Sequence, residues 1–145
     1  MYVEQIFTSC LAEMAYFVES NGEAAIIDPL RETQAYLDLA KQNNAKIKYI
    51  FLTHFHADFV SGQVDLAKAT GATIVFGPNA KANYKFHKGK DGEIFELGNA
   101  KIKLIHTPGH TMESSSYLLI DEDGNTPYVC TGDCLFIGDV GRPDL

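Results

Sequence analysis

The segment Leu52-Thr53-His54-Phe55-His56-Ala57-Asp58-Phe59 holds three candidate metal ligands within five residues: His54, His56 and Asp58. In extended backbone the side chains at i and i+2 point the same way, so His54 and His56 are predicted to share one side. Two further clusters follow. His106-Thr107-Pro108-Gly109-His110-Thr111 presents His110 beyond a turn in which Pro108 fixes φ, with His106 as structural support. Tyr128-Val129-Cys130-Thr131-Gly132-Asp133 closes a short apolar run on a carboxylate. Neutral imidazole suits zinc, iron and copper, and a nearby carboxylate suits hard Lewis-acid chemistry. Two centres can be built from this set. His54, His110 and Asp133 would form the two-histidine, one-carboxylate face of a non-haem Fe(II) site, with His56 just outside it or weakly bound. His54, His56 and His110 would instead form a three-histidine zinc site whose bound water has a pKa of about 7, with Asp58 and Asp133 as base and orienter. The residues alone leave both open.

In that order and spacing the motifs resemble those of the metallo-β-lactamase superfamily: His54-x-His56-x-Asp58, His110 in Thr-Pro-Gly-His-Thr, and Thr131-Gly132-Asp133. The closer likeness is to its persulfide dioxygenase branch, which includes bacterial forms fused to rhodanese domains. It rests on His54 to Gly62, on His106 to Thr111, and on Gly138-Asp139-Val140-Gly141-Arg142-Pro143-Asp144, and it spans the chain from Phe7 onward. The resemblance implies an α/β (α+β) chain with the αββα sandwich of that superfamily. Residues 1–145 would be one domain, the N-terminal half to two thirds of that sandwich, cut short at its C-terminus. It implies His54, His56, His110 and Asp133 as metal ligands and Asp58 as a catalytic carboxylate. Phe59 stands where the superfamily commonly places a histidine for a second metal, and its ring offers no lone pair, which argues for one metal.

The resemblance and Phe59 together favour Fe(II) over zinc. The implied activity is oxidation of the sulfane sulfur of a low-molecular-weight thiol persulfide to sulfite. The alternative is a zinc-dependent thioester hydrolase of the glyoxalase II type. A third reading is an incomplete, non-catalytic metal-binding fragment whose exposed half-core pairs with another copy in a homo-oligomer. The expected partner is a small thiol or its persulfide, such as glutathione or coenzyme A, with a rhodanese domain following in the full-length protein. Arg142 has two readings: a donor to a substrate carboxylate or anionic product, or an ion pair with Asp144 or Asp139 that braces the loop.

The ligands need elements to aim them. Lys48 to Thr53 is apolar and β-prone, so the first motif is predicted at a strand's C-terminal end. Ala100 to Ile105 alternates and leads into the second motif, and Tyr128 to Thr131 leads into the third. Val3 to Phe7, Met14 to Glu19 and Ala24 to Asp28 are predicted strands, with a turn at Asn21-Gly22 and Asp28-Pro29 as a stop. Thr73 to Phe76, Ile94 to Leu97 and Ser115 to Ile120 complete the strands. Arg31 to Asn43 and Gly62 to Thr70 have helical spacing, and Gly71 closes the second helix. Lys81 to Lys90 is locally basic and reads as a solvated loop or hairpin, or as a holder for an anionic thiol cofactor.

Composition limits the function classes. The chain has 145 residues, 46% hydrophobic and 21% charged, which fits one folded domain. A net charge of -7 disfavours nonspecific binding to nucleic acid or anionic membranes. No run approaches the ~18 apolar residues of a membrane span. Met1 to Gln5 carries neither a basic region nor a long apolar run, so no secretory leader is expected. Three cysteines, an odd number, exclude a full disulfide framework and point to a reducing, cytoplasmic setting. Cys130 is expected to be a small buried hydrophobe, and Cys134, beside Asp133, to pack or to contact substrate.

Overall fold

Alternation along Glu13–Ser20 sets the pattern of the first sheet: Ala15 and Phe17 face one core, and Tyr16 and Val18 face another. The computed structural model describes residues 1–9 and 13–141. Cys10, Arg142 and Asp144 lie outside the described residues, and so do the two readings of Arg142.

The first sheet has six strands in sequence order: β1 (Tyr2–Thr8), β2 (Glu13–Ser20), β3 (Glu23–Ile27), β4 (Lys46–Phe51), β5 (Thr73–Phe76) and β6 (His87–Lys88). β1, β2 and β3 pair antiparallel, and β3 through β6 pair parallel. Helices α1 (Gln34–Gln42) and α2 (Gln63–Thr70) make the β3–β4 and β4–β5 crossovers. The second sheet is antiparallel, in the order β10-β9-β8-β7: β7 is Ile94–Leu97, β8 Ala100–His106, β9 Ser115–Ile120 and β10 Tyr128–Cys130.

Two cores hold these layers together. One lies between the helices and the first sheet, where Tyr36, Ala40 and Leu66 meet Phe17, Ile26, Ile50, Leu52 and Phe76. The other lies between the sheets, where Val18, Ile27, Phe51 and Val75 meet Phe95, Ile102, Leu104, Tyr117 and Leu119. The ring of Phe51 packs 4.7 Å from Tyr117 and 5.1 Å from Phe95, centroid to centroid. This is the mixed α+β arrangement of helix, sheet and sheet that the resemblance implies.

Three local differences from the sequence reading have physical causes. α1 begins at Gln34, not Arg31, because Leu30 is engaged in a bridge with Ser61. β4 ends at Phe51, not Thr53, because the Thr53 N–H turns to the Asp28 carboxylate, 2.8 Å away, and leaves the ladder. The basic segment is neither free loop nor hairpin: His87 and Lys88 pair parallel with Val75 and Phe76.

Tyr117 is fully buried and its hydroxyl donates to the Leu52 carbonyl at 2.8 Å, tying the second sheet to the strand end that precedes His54. Tyr117→Phe keeps the ring and leaves that carbonyl without this donor. The expected loss is about 1–2 kcal/mol of stability, read as a lower urea midpoint with unchanged slope. An unchanged midpoint would show that the hydroxyl does not hold the sheets.

Candidate metal centre

Asp28 follows the last residue of β3 with a left-handed φ of +51°, a conformation costly for a residue with a Cβ. That turn aims its carboxylate at the end of β4. Oδ1 accepts from the Thr53 N–H and Oδ2 from the Thr53 hydroxyl, both at 2.8 Å. With its proton committed to Asp28, the Thr53 oxygen can only accept from His54, whose Nδ1 lies 2.9 Å away. His54 therefore carries its proton on Nδ1, and its Nε2 keeps a free lone pair. Burial, with adjacent His56, lowers the His54 pKa, so this 3% exposed ring stays neutral as a ligand must.

His54 Nε2 faces Asp133 Oδ2 at 3.8 Å, and His110 Nε2 faces the same oxygen at 3.5 Å. The three atoms lie within 4.8 Å of one another, a spacing that one metal ion can bridge. Two glycines permit this approach. A Cβ on Gly132, at φ +51°, would lie 2.4 Å from Thr53 Oγ1. One on Gly141 would lie 2.0 Å from the Asp133 carbonyl and 3.1 Å from His110 Nδ1. That nitrogen is buried and has no hydrogen-bond partner among the described residues. The loop carrying His110 is strapped to the first motif by the Ser115 N–H to the Thr53 carbonyl, 2.9 Å, and by the Phe55 N–H to Glu113 Oε1, 3.1 Å.

His56 lies beside His54, 4.1 Å between ring centroids, but takes other partners. Its Nε2 lies 3.1 Å from Asp28 Oδ1, and it groups with Asp28 and Glu13 rather than with His54, His110 and Asp133. Burial opposes charge on His56, but the hydrogen bond and charge of Asp28, with Glu13 and Asp133, outweigh it and raise its pKa. The Phe59 ring packs against the imidazole, 4.4 Å between centroids. Burial, together with the charges of Asp28, Asp133 and Asp58, pushes the Glu13 carboxyl up to about 7, against the pull of His56.

The other candidates are scattered. Asp58 is exposed and stands in neither group. His106 braces its own loop, its Nε2 donating to the Met112 carbonyl at 3.0 Å. His87 pairs with Glu93 at 2.7 Å. Cys130 is buried, which pushes its thiol up to about 12, and the Cys134 sulfur lies 3.9 Å from Ser116 Oγ. Sequence reasoning missed Glu13, Asp28 and Thr53 as parts of the site. One signal was available for Glu13: an acid two and four residues before the inward-facing Ala15 and Phe17.

A sequence model of the metallo-beta-lactamase superfamily matches residues 9–145. A cytoplasmic hydroxyacylglutathione hydrolase of Arabidopsis thaliana is 32% identical over 126 residues, 86% of this chain and 48% of its own length. Among solved structures, a metallo-beta-lactamase from Staphylococcus aureus subsp. aureus COL superposes with a TM-score of 0.89 at 36% identity, covering 100% of this chain and 47% of that one. ETHE1 from Myxococcus xanthus superposes with a TM-score of 0.87 at 30% identity, covering 100% of this chain and 63% of that one. The chain thus spans about half the length of the curated relatives it matches.

Two variants test the geometry. Thr53→Val keeps shape but removes the hydroxyl between Asp28 and His54. Metal affinity should fall about 10–100-fold, measured by chelator competition; unchanged affinity would mean the hydroxyl does not set the imidazole. Glu13→Gln tests the raised carboxyl. Because its folded pKa of about 7 exceeds the ordinary 4.5, ionising Glu13 costs stability as pH rises through that window. The variant should melt like the parent near pH 4 and be more stable near pH 8, by about 1 kcal/mol after discounting for its half-exposed position. Equal melts at both pH values would contradict the buried-acid reading.

Proposed function

The chain belongs to the metallo-β-lactamase superfamily, and within it we propose a mononuclear iron persulfide dioxygenase domain. The observation that carries this reading is that the two adjacent histidines of the first motif take different partners. His54 joins His110 and Asp133, while His56 is hydrogen-bonded to Asp28 and covered by Phe59. That geometry supports a two-histidine, one-carboxylate face over three histidines. Phe59 also puts a ring without a lone pair where the superfamily commonly has a histidine for a second metal. The likeness to ETHE1 from Myxococcus xanthus supports the same branch.

The reaction converts a persulfide, R–S–SH, with O2 and water into the thiol R–SH, sulfite and two protons. The terminal sulfur loses four electrons and O2 gains them. Iron, when bound, would supply the redox couple and the open positions at which sulfur and O2 meet. The protein's own residues do the rest. His54, His110 and Asp133 would hold the ion. A cavity of about 460 Å³ adjoins them, lined by Glu13, Met14, Tyr16, His56 and Ile137 among others. Met14 and Ile137 give it an apolar side that shields the thiol's carbon chain from water. His56, its charge favoured by Asp28, offers a cationic edge to the anionic persulfide and to sulfite. Glu13, across from His56, is placed to take up a released proton. The substrate is a small thiol persulfide of the glutathione class, and the setting is cytoplasmic.

Protein produced with iron should carry about one iron per chain, the capacity of a single facial triad. It should consume O2 and form sulfite when glutathione persulfide is added. Asp133→Asn should lose the iron, and His56→Ala should keep it while turning over more slowly. Two tightly held zinc ions with full activity would exclude the reading. So would loss of all metal in His56→Ala, which the three-histidine site requires. The hydrolase reading is favoured by the relative named hydroxyacylglutathione hydrolase; it requires thiol release from an acylglutathione without O2.

A further inference from the structure

A cavity of about 570 Å³ opens on the helix-covered side of the first sheet, between α2, the start of β5 and the approach to β6. No residue of the metal centre lines it. Its volume is within the ~300–1,000 Å³ usual for small-molecule sites. Val64, Ala67 and Ile74 give it an apolar floor, and Tyr84 and Phe86 form a wall. The wall is fixed in place. The Tyr84 hydroxyl lies 3.0 Å from Gln63 Nε2, which donates to it, and the Gln63 Oε1 is buried with no hydrogen-bond partner among the described residues. Phe86 packs edge-on against Phe76 at 5.5 Å, and Phe76 stacks on Phe55 at 4.5 Å, so the wall is anchored in the core.

The rim carries the charge. Lys68 and Lys85 border the opening, in a chain of net charge -7. Lys68 has only the exposed Asp65 at 3.7 Å, and Lys85 has no carboxylate within ion-pair distance among the described residues. Of the basic run Lys81, Lys85, Lys88 and Lys90, Lys85 borders this apolar hollow.

We propose that this cavity is a second ligand site, taking a small organic anion with a flat apolar body. The body would lie on the floor against Tyr84 and Phe86, and its carboxylate, phosphate or sulfonate would meet Lys68 and Lys85. The proposal stands apart from the metal chemistry and does not need it.

The probe is 8-anilinonaphthalene-1-sulfonate, titrated into the folded protein and followed by fluorescence, with the uncharged N-phenyl-1-naphthylamine beside it. Saturable one-to-one binding is expected, weaker for the uncharged probe. The double variant Lys68→Ala with Lys85→Ala should lower affinity for the sulfonate about tenfold, two partly exposed charge contacts, and leave the uncharged probe unchanged. Ala67→Phe, which fills the floor, should remove binding of both. Ile94→Ser, at an exposed apolar residue of β7 that lines neither cavity, should change nothing. Non-saturable binding, or no binding, overturns the proposal. So does a lysine variant that binds as the parent does, or loss of binding in Ile94→Ser. The lysine variant keeps the test decisive if Ala67→Phe fails to fold.

Discussion

The carboxylate of Asp28 accepts from the Thr53 N–H, the Thr53 hydroxyl and His56 Nε2, within 3.1 Å in each case. It is 3% exposed, and these donors stand in for the water it loses. The backbone strain of φ +51° is the cost of pointing it there. From this one group follow the end of β4, the tautomer of His54 and the direction of His56. An acid outside the set of His54, His110 and Asp133 thereby decides how two histidines past the neighbouring strand are used.

Ordering that end of the sheet also depends on the second sheet. Tyr117 reaches the Leu52 carbonyl, and the Ser115 N–H reaches the Thr53 carbonyl. The residues that bring His110 and Asp133 into place belong to strands and loops of that second layer. The aromatic contacts of Phe51 with Phe95 and Tyr117 fix the distance between layers. The site is a product of sheet docking, and neither layer holds it alone.

Much of this was legible in the sequence because strand periodicity is local. The ends of β4, β8 and β10 were readable from apolar runs closing on His or Asp, and His54, His110 and Asp133 do converge there. His54 and His56 do lie side by side, 4.1 Å between ring centroids, but their ring nitrogens take different partners. The i, i+2 rule holds in extended backbone, and the chain leaves the strand at Phe51, before either residue. Asp28 read as a strand stop, since its partner Thr53 is 25 residues away and nothing local announces the pairing. The two-residue β6 is too short to carry a pattern, and the cavity beside α2 arises only when that segment docks.

Gly132 and Gly141 are pressed so closely to Thr53 and to Asp133 that a methyl group would collide with either. Both flanks of the carboxylate are thus closed to variation, and neither can acquire a side chain with new chemistry. Diversification of a scaffold built this way is channelled elsewhere. Glu13 lines the cavity beside the centre, and Phe59 lies against His56 at its margin. Such positions can change without moving the three ligand atoms, so a shift in substrate or in the number of ions would begin there, while the metal-holding frame drifts little.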